Sequence, residues 1–230
     1  MKTYALLTGR GNNTLPDKNI RDVLGQPVLY YPAFEAKQVS IIDKFYCSSD
    51  DKKILNESAK LGYTSIVRPA ELAQPTSQHI DCILHALNQF EEKPDILVVL
   101  LANNITVKSK WITECIKTMQ NDMTLSAVVP VYNENDHHPL RAKKLNSDGT
   151  LNMYVSVEGN VSTNRQDLPS CFFLAHNFWV LNVDTLLTGV GQQPWTFMGN
   201  KIKPYMINES IDIHTEEDLV RAELWLNKNS

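Results

Sequence analysis

The sequence lacks any apolar run that approaches the roughly 20 residues of a membrane-spanning helix. Its first residues, "MKTYALLTGRG", include a lysine, but the apolar stretch beside it is too short for a secretory signal. We therefore expect no membrane association and a cytoplasmic location.

The sequence also lacks an excess of positive charge. It contains 22 Lys and Arg residues against 26 Asp and Glu residues, which gives a formal net charge of −4. Proteins that bind nucleic acids or anionic membranes over a wide surface need a basic face, so we expect neither kind of partner. A small basic pocket for a phosphate group is still compatible with this charge.

Cysteine is scarce, and its spacing suits neither a disulfide framework nor a zinc site. None of the four residues belongs to a CxxC motif, and each has apolar neighbours. We therefore expect reduced, mostly buried thiols. The four are Cys47, Cys82, Cys115 and Cys171.

Apolar strands that alternate with amphipathic helices indicate an α/β fold. The predicted strands lie at 3–8, 44–49, 64–67, 95–101, 125–131 and 202–207. The predicted helices lie at 28–39, 50–62, 76–92, 109–122 and 215–228. Thr76 or Ser77 is expected to cap the third helix, and Thr215 the last. This order predicts a mainly parallel sheet with helices on both faces, whose ligands bind at the carboxyl ends of the strands.

The loop after the first strand is a candidate phosphate site. It reads "GRGNNTLPDKN" and holds Gly9, Arg10, Gly11 and Lys18. The spacing matches neither the Walker pattern nor GxGxxG. Glycines allow a ligand to approach the backbone, and the two cations suit phosphate oxygens. Taken alone, the loop fits an ordinary strand–helix connection with solvated charges equally well.

The segment from 137 to 169 is polar and has turn signals at Asp148-Gly149 and Gly159-Asn160. This composition predicts β-ribbon or loop material that projects from the sheet. Adjacent histidines in "DHHP" (136–139) raise the question of zinc. Adjacent residues on a regular backbone are poorly placed to chelate one ion, so we favour a structural or substrate-side role.

Five stretches together resemble the acylneuraminate cytidylyltransferases, the CMP-sialic acid synthetases and their relatives. They are "RGNNTLPDKN", "SSDD", "RPAELA", "TSQHIDCILHAL" and "SIDIHTEEDL", and the resemblance runs from residue 4 to about 226. It implies a three-layer, Rossmann-like nucleotidyltransferase fold. It also implies one domain over 1–230, with an inserted substrate and dimerisation segment at about 136–170.

The resemblance further implies an enzyme that transfers CMP from CTP to a 2-keto-3-deoxy sugar acid and releases pyrophosphate. CTP and an acidic sugar would be its ligands, Mg²⁺ or else Mn²⁺ its cofactor, and a homodimer its assembly. Arg10, Lys18 and Asp212 would carry catalysis. The implied nucleotide-binding residues are Gly9, Arg10, Gly11, Asn12, Lys18, Asn19, Ser49, Asp50, Arg68, Thr76 and Ser77.

The sugar and metal positions implied by the resemblance lie mainly in the second half. Asp212 matches the first aspartate of the family's metal motif, while His214 replaces the second. Side chains two residues apart share a face of an extended segment, so we expect this pair side by side. The implied substrate-binding residues are Asn103, Asn104, His138, Arg141, Arg165, Gln166 and Asn177.

Some family segments are altered here. "FFLAHN" (172–177) lacks the arginine that can meet the substrate carboxylate, so Arg141 and Arg165 are the candidates for that role. We accordingly expect N-acetylneuraminate to be a poor acceptor. Two alternatives stay open: a nucleotidyltransferase of the same fold acting on another sugar acid or a sugar phosphate, and a nucleotide-binding relative without catalysis.

Overall fold

The computed structural model describes residues 1–11 and 13–229. Asn12, expected at the nucleotide, lies outside the described residues. The strands are β1 (Thr3–Thr8), β2 (Asp22–Val23), β3 (Gln26–Pro27), β4 (Lys44–Ser49), β5 (Thr64–Val67), β6 (Ile96–Leu101), β7 (Ala127–Asn133), β8 (Lys143–Leu145), β9 (Leu151–Met153), β10 (Phe172–Leu174), β11 (Phe178–Asn182) and β12 (Ile202–Met206). The helices are α1 (Tyr30–Lys37), α2 (Lys52–Lys60), α3 (His79–Leu87), α4 (Ser109–Asn121), α5 (Val183–Thr188) and α6 (Glu216–Asn229).

The main sheet has eight strands and is mixed but largely parallel. Its order is β10-β7-β11-β6-β1-β4-β5, and β12 pairs with β7. β6, β1, β4 and β5 run parallel, whereas β11 runs antiparallel between β6 and β7. The mainly parallel sheet expected from the sequence is confirmed. Its parallel strands end together at one edge, which is where the loops that carry ligand groups meet.

Two apolar layers cover the faces of the sheet. Along β1, Ala5 and Leu7 pack into a cluster with residues of α1, α2 and α4. Tyr4 and Leu6, on the opposite face, pack with residues of α3 and α5. This alternation follows from the two-residue period of a strand and produces three layers.

The two predicted helix caps have different outcomes. Thr215 does cap α6: its Oγ1 accepts from the Asp218 N–H at 3.3 Å, and Asp218 Oδ2 accepts from the Thr215 N–H at 3.0 Å. The cap expected at Thr76 or Ser77 is wrong, because α3 begins later, at His79, and its N-cap Gln78 makes no side-chain cap bond. Ser77 Oγ instead accepts from Gln74 N–H and donates to the Glu71 carbonyl. A turn closed by the bond from the Ser77 N–H to the Gln74 carbonyl thus occupies the region expected to begin the helix.

The segment at about 136–170 contains a two-stranded ribbon, β8–β9, that pairs separately from the main sheet. Leu145 and Leu151 lie opposite each other in it and are 74% and 66% exposed. The projecting ribbon predicted from the turn signals is therefore present.

The cysteine side chains have the burial expected from the sequence. Cys47, Cys82 and Cys115 are buried, and Cys171 is half-buried; all four are free. Over the described ranges, no helix has both the length and the apolar character that crossing a bilayer requires.

Candidate active site

A cleft of about 240 Å³ lies where β1, β5 and β6 end at the carboxyl edge of the sheet. Loops that follow separate strands form its walls, as parallel α/β sheets require. Its lining residues are Thr8, Gly9, Arg10, Asn13, Lys18, Asn19, Arg68, Leu72, Gln74, Ser77, Gln78, His79, Cys82, Leu101 and Asn103.

Both glycines of the opening loop are needed for close backbone approach. A Cβ on Gly11 would lie 2.8 Å from Cβ of Asp51, and one on Gly9 would lie 3.0 Å from Cβ of Ala102. The Gly11 N–H donates to Asp50 Oδ1 at 3.0 Å. Asp50, expected near the nucleotide, thereby fastens the loop to the end of β4.

Arg10 connects two walls of the cleft. Its Nη1 donates to the Gln74 carbonyl at 3.0 Å, and its Nε donates to Asn13 Oδ1 at 3.3 Å. The Asn19 amide, almost fully buried, donates to the Arg10 carbonyl at 2.9 Å. These bonds hold the guanidinium at the cleft while leaving other N–H groups available to an anion.

Lys18 is a cation held in a low-dielectric position. Burial lowers the pKa of its ammonium below the usual range, and the charge of Arg10 lowers it further, while Asp212 opposes both. Lys18 forms no ion pair with any residue that the structure describes. An arriving anion is therefore the partner that would offset its desolvation.

Arg68 adds a third cation to the cleft, from the loop that follows β5. It is buried, and its guanidinium donates to the Ser48 carbonyl at 2.7 Å and to Ser48 Oγ at 3.3 Å. Ser49 is fully buried, and its Oγ accepts from the Asp51 N–H. Ser49, at the end of β4, thus supports the loop that follows that strand and does not line the cleft. Arg68, which follows β5, lines the cleft itself.

Asp212 is placed beside the cleft by a backbone bridge to Asn104. Asn103, which lines the cleft, donates through its side chain to Asp212 Oδ1. His214 Nε2 lies 3.0 Å from Asp212 Oδ2, so the expected side-by-side arrangement is present. Burial raises the pKa of the Asp212 carboxyl, while His214 and Lys18 act in the opposite direction.

Asn104 and Asn177, expected at the sugar, lie in the protein interior. Both are fully buried. Asn104 Nδ2 donates to Ser210 Oγ at 2.8 Å, and Asn177 Nδ2 donates to the Thr106 carbonyl at 2.8 Å. The Asn104 amide links the loop after β6 to the segment before Asp212, and the Asn177 amide links the same loop to the start of β11. Their side chains are therefore not placed to contact a ligand.

The remaining sugar candidates lie around the ribbon and do not line this cleft. Arg165 Nη1 donates to both carboxylate oxygens of Asp136 at 2.8 Å, and His138 Nδ1 accepts from the Leu140 N–H. Arg165 and Gln166 line a separate depression, and Arg141 lines another. Among the described residues expected at the sugar, Asn103 alone lines the cleft with the expected nucleotide residues.

Several cleft residues were not anticipated from the sequence, among them Asn13, Gln74 and His79. His79 falls inside the motif stretch "TSQHIDCILHAL", at the first residue of α3. Because His79 lies in the first turn of a helix that begins near the carboxyl ends of the strands, its position in the sequence could have indicated a residue of the site. Thr76, by contrast, is exposed and does not line the cleft.

Comparison with known proteins identifies a family and a fold for this chain. A family model described as cytidylyltransferase matches residues 10–170. The chain is 22% identical over 228 residues to an N-acylneuraminate cytidylyltransferase of Streptococcus agalactiae, covering 96% of this chain but 52% of that protein. The chain thus spans about half the length of that curated relative.

Two further proteins resemble the chain over nearly its whole length. A CMP-N,N'-diacetyllegionaminic acid synthase of Legionella pneumophila is 23% identical, with 100% of this chain and 98% of that protein covered. The solved structure of a CMP:2-keto-3-deoxy-manno-octonic acid synthetase complexed with CTP superimposes with a TM-score of 0.73 at 13% identity, covering 100% of both chains. With the family model spanning well over half of its residues, the chain belongs to the cytidylyltransferase family.

Proposed function

We propose that this protein transfers CMP from CTP to the anomeric hydroxyl of a nonulosonic, sialic-acid-like 2-keto-3-deoxy sugar acid, with release of pyrophosphate. The observation that carries the proposal is the convergence of Arg10, Lys18 and Arg68 on one cleft of an otherwise acidic protein. Three cations from two loops, the one after β1 and the one after β5, suit a polyanionic nucleotide. The names of the relatives support the choice of CTP and of an acidic sugar.

In this reaction the sugar hydroxyl oxygen attacks the α-phosphorus of CTP. A new P–O bond forms to the sugar, the bond to the bridging oxygen breaks, pyrophosphate leaves with the electron pair, and the hydroxyl proton is released to water. The protein must position the reactants and offset the negative charge that gathers on the phosphates. Arg10 and Lys18, around the glycine-containing loop, are the groups that would do so.

Asp212 and His214 are the residues that would hold a divalent ion. Within the residues that the structure describes, no three His, Cys, Asp or Glu side chains form a complete protein cage. This donor set still fits Mg²⁺, which commonly takes one or two carboxylates and completes its shell with water and substrate phosphates. When bound, such an ion supplies positive charge to the triphosphate. The imidazole makes Mn²⁺ the better ion for this pair.

We also propose a homodimer formed through the ribbon. Arg141 and Arg165 lie outside the cleft of their own chain. They can meet the acceptor's carboxylate if the segment carrying them extends over the cleft of a second copy. Exposed Leu145, Leu151 and Tyr154 supply apolar surface for that contact.

The direct test measures pyrophosphate release with CTP, Mg²⁺ and a panel of acceptors. The panel contains N-acetylneuraminate, pseudaminic acid, a legionaminic acid, 2-keto-3-deoxy-manno-octonate and a sugar phosphate. We expect turnover of a nonulosonic acid and slow turnover of N-acetylneuraminate. Turnover of only the sugar phosphate would instead indicate a nucleotidyltransferase of the same fold that acts on sugar phosphates. Tight CTP binding without release for any acceptor would favour a relative that has lost catalysis.

A further inference from the structure

We infer that His79 is a specificity-determining residue that selects cytosine over uracil, by offering its Nδ1 as a hydrogen-bond acceptor to the base's 4-amino group. The inference rests on the proposed use of CTP and concerns a residue to which the family resemblance gives no role. His79 lines the cleft beside Arg68, on the side of the α3 start.

A hydrogen bond between distant parts of the chain fixes the orientation of the ring. His79 Nε2 lies 3.0 Å from Thr8 Oγ1, at the end of β1. Thr8 Oγ1 in turn donates its own hydrogen to the Leu100 carbonyl at 3.2 Å. With that hydroxyl hydrogen assigned to the Leu100 carbonyl, Thr8 Oγ1 accepts from His79 Nε2. The proton of the neutral ring is therefore on Nε2.

The same arrangement leaves Nδ1 with a lone pair. Among the described residues, no donor bonds to Nδ1, and Nδ1 is not one of the enclosed polar atoms that lack a partner. Because the ring lines the cleft, its acceptor is available to a ligand there. For Nδ1 to become a donor, the proton would have to leave Nε2, and the Thr8–Leu100 bond would have to rearrange.

Protonation does not readily convert Nδ1 into a donor either. Burial, followed by the charges of Arg68 and His176, lowers the pKa of His79 to about 4. The imidazole is thus neutral near neutral pH. In a neutral ring with its proton on Nε2, Nδ1 can act only as a hydrogen-bond acceptor.

Cytosine and uracil differ at position 4, the atom that would contact His79 Nδ1, and at N3. Cytosine carries an amino donor at position 4 and acceptors at N3 and O2, whereas uracil carries an acceptor at O4 and a donor at N3. Arg68, the neighbouring donor, complements the acceptors that cytosine offers. Uracil would bring O4 against the Nδ1 lone pair. A buried acceptor that faces another acceptor costs a factor of about 10 to 100 in affinity.

The experiment compares the binding of CTP, UTP and inorganic tripolyphosphate by calorimetry, for wild type and three variants. His79→Asn places an amide at the same position, and an amide can rotate to offer either its oxygen or its NH₂. Thr8→Val removes the partner that fixes the tautomer. His85→Asn, the same substitution on the same helix, changes a residue that does not line the cleft and is the matched control.

We expect wild type to prefer CTP over UTP, and His79→Asn to reduce that preference by about 10- to 100-fold. Thr8→Val should change the preference in the same direction by a smaller factor. Tripolyphosphate affinity should stay constant in both, which a general loss of structure would not allow. His85→Asn should keep the preference of the wild type.

Three outcomes would overturn the inference. Wild type that binds CTP and UTP equally would show that the base is not read at His79. An unchanged preference in His79→Asn, with its tripolyphosphate binding intact, would move base selection to another residue; both results leave the proposed cytidylyltransferase function standing. Wild type that binds neither nucleotide would remove the proposed function as well.

Discussion

At the scale of the residue, Arg10 is the cation that the loop geometry fixes most directly, through its bonds to Gln74 and Asn13. We expect Arg10→Ala to weaken CTP binding by about 1.5–3 kcal/mol, the value of a charge-assisted hydrogen bond. Arg21→Ala is the matched control, because Arg21 pairs with Glu216 and does not line the cleft. Titration calorimetry with CTP gives the comparison. Equal affinity in Arg10→Ala and wild type would place the triphosphate elsewhere.

The pair of Asp212 and His214 permits a metal prediction at the same scale. Asp212→Asn should abolish activity, because an amide is a neutral and weaker ligand for a hard cation. His214→Asp should be tolerated and should shift the preference from Mn²⁺ toward Mg²⁺, since carboxylate oxygen suits Mg²⁺ better than imidazole does. Pyrophosphate release is measured against each ion for the three proteins. Activity that persists in a chelator would contradict the assignment.

At the scale of the element, the start of α6 is stabilised by a reciprocal cap. Burial alone would raise the pKa of Asp218, but hydrogen bonds from the N–H groups of His214 and Thr215 and from the Thr215 hydroxyl hold that pKa below its usual range. A depressed carboxyl pKa means that the folded state favours the ionised form. Its stabilisation is present above the unfolded pKa of about 3.9 and is lost as pH falls through the folded value.

Thr215→Ala and Asp218→Asn should each lower the free energy of unfolding at pH 7 by about 1 kcal/mol, the usual value of an N-cap. For Asp218→Asn the difference from wild type should shrink as pH falls below 4. Urea unfolding at several pH values measures both. Glu217→Gln, next to Asp218 but outside the cap, is the control and should change stability little. A pH-independent difference for Asp218→Asn would show that its charge is not what stabilises α6.

At the scale of the whole molecule, the ribbon is the surface that a second copy would cover. Leu145 and Leu151 face each other across β8 and β9, so both contribute to one apolar strip. We expect Leu145→Asp to convert a dimer into a monomer, because the contact would then bury an unpaired charge. Leu224→Asp, at a leucine on α6 that is 67% exposed, is the control. Light scattering distinguishes the states, and an unchanged mass for Leu145→Asp would remove the ribbon from the interface.

The same experiment connects assembly to the acceptor site. If the ribbon completes the cleft of its neighbour, the monomeric variant should keep its affinity for CTP and lose turnover of the sugar acid. Normal turnover in a monomer would show that Arg141 and Arg165 are not needed in another copy's site.

The features that depend on local periodicity could be predicted from the amino-acid sequence alone. Continuous apolar runs identified β1, β4 and β6 because strands buried on both faces admit few polar residues. Thr215 could be named as a cap, and Asp212 and His214 as neighbours, because both relations span only a few residues of one backbone segment. The opening loop could likewise be named as a phosphate candidate from its glycines and cations, without knowledge of its partners.

Which of the named polar residues line the cleft depends on contacts between distant parts of the folded chain. Asn103 and Asn104 are adjacent, yet one lines the cleft and the other is fully buried against Ser210, more than a hundred positions away. His79 became part of the site through Thr8, 71 positions earlier. Helix α3 begins at His79 and not at residue 76 as predicted, because the Ser77 side chain forms hydrogen bonds with Gln74 and Glu71 in the preceding turn. The common reason is that the orientation of a polar side chain depends on the hydrogen-bond partner that the folded structure places beside it. Spacing along the sequence does not reveal a partner from a distant part of the chain.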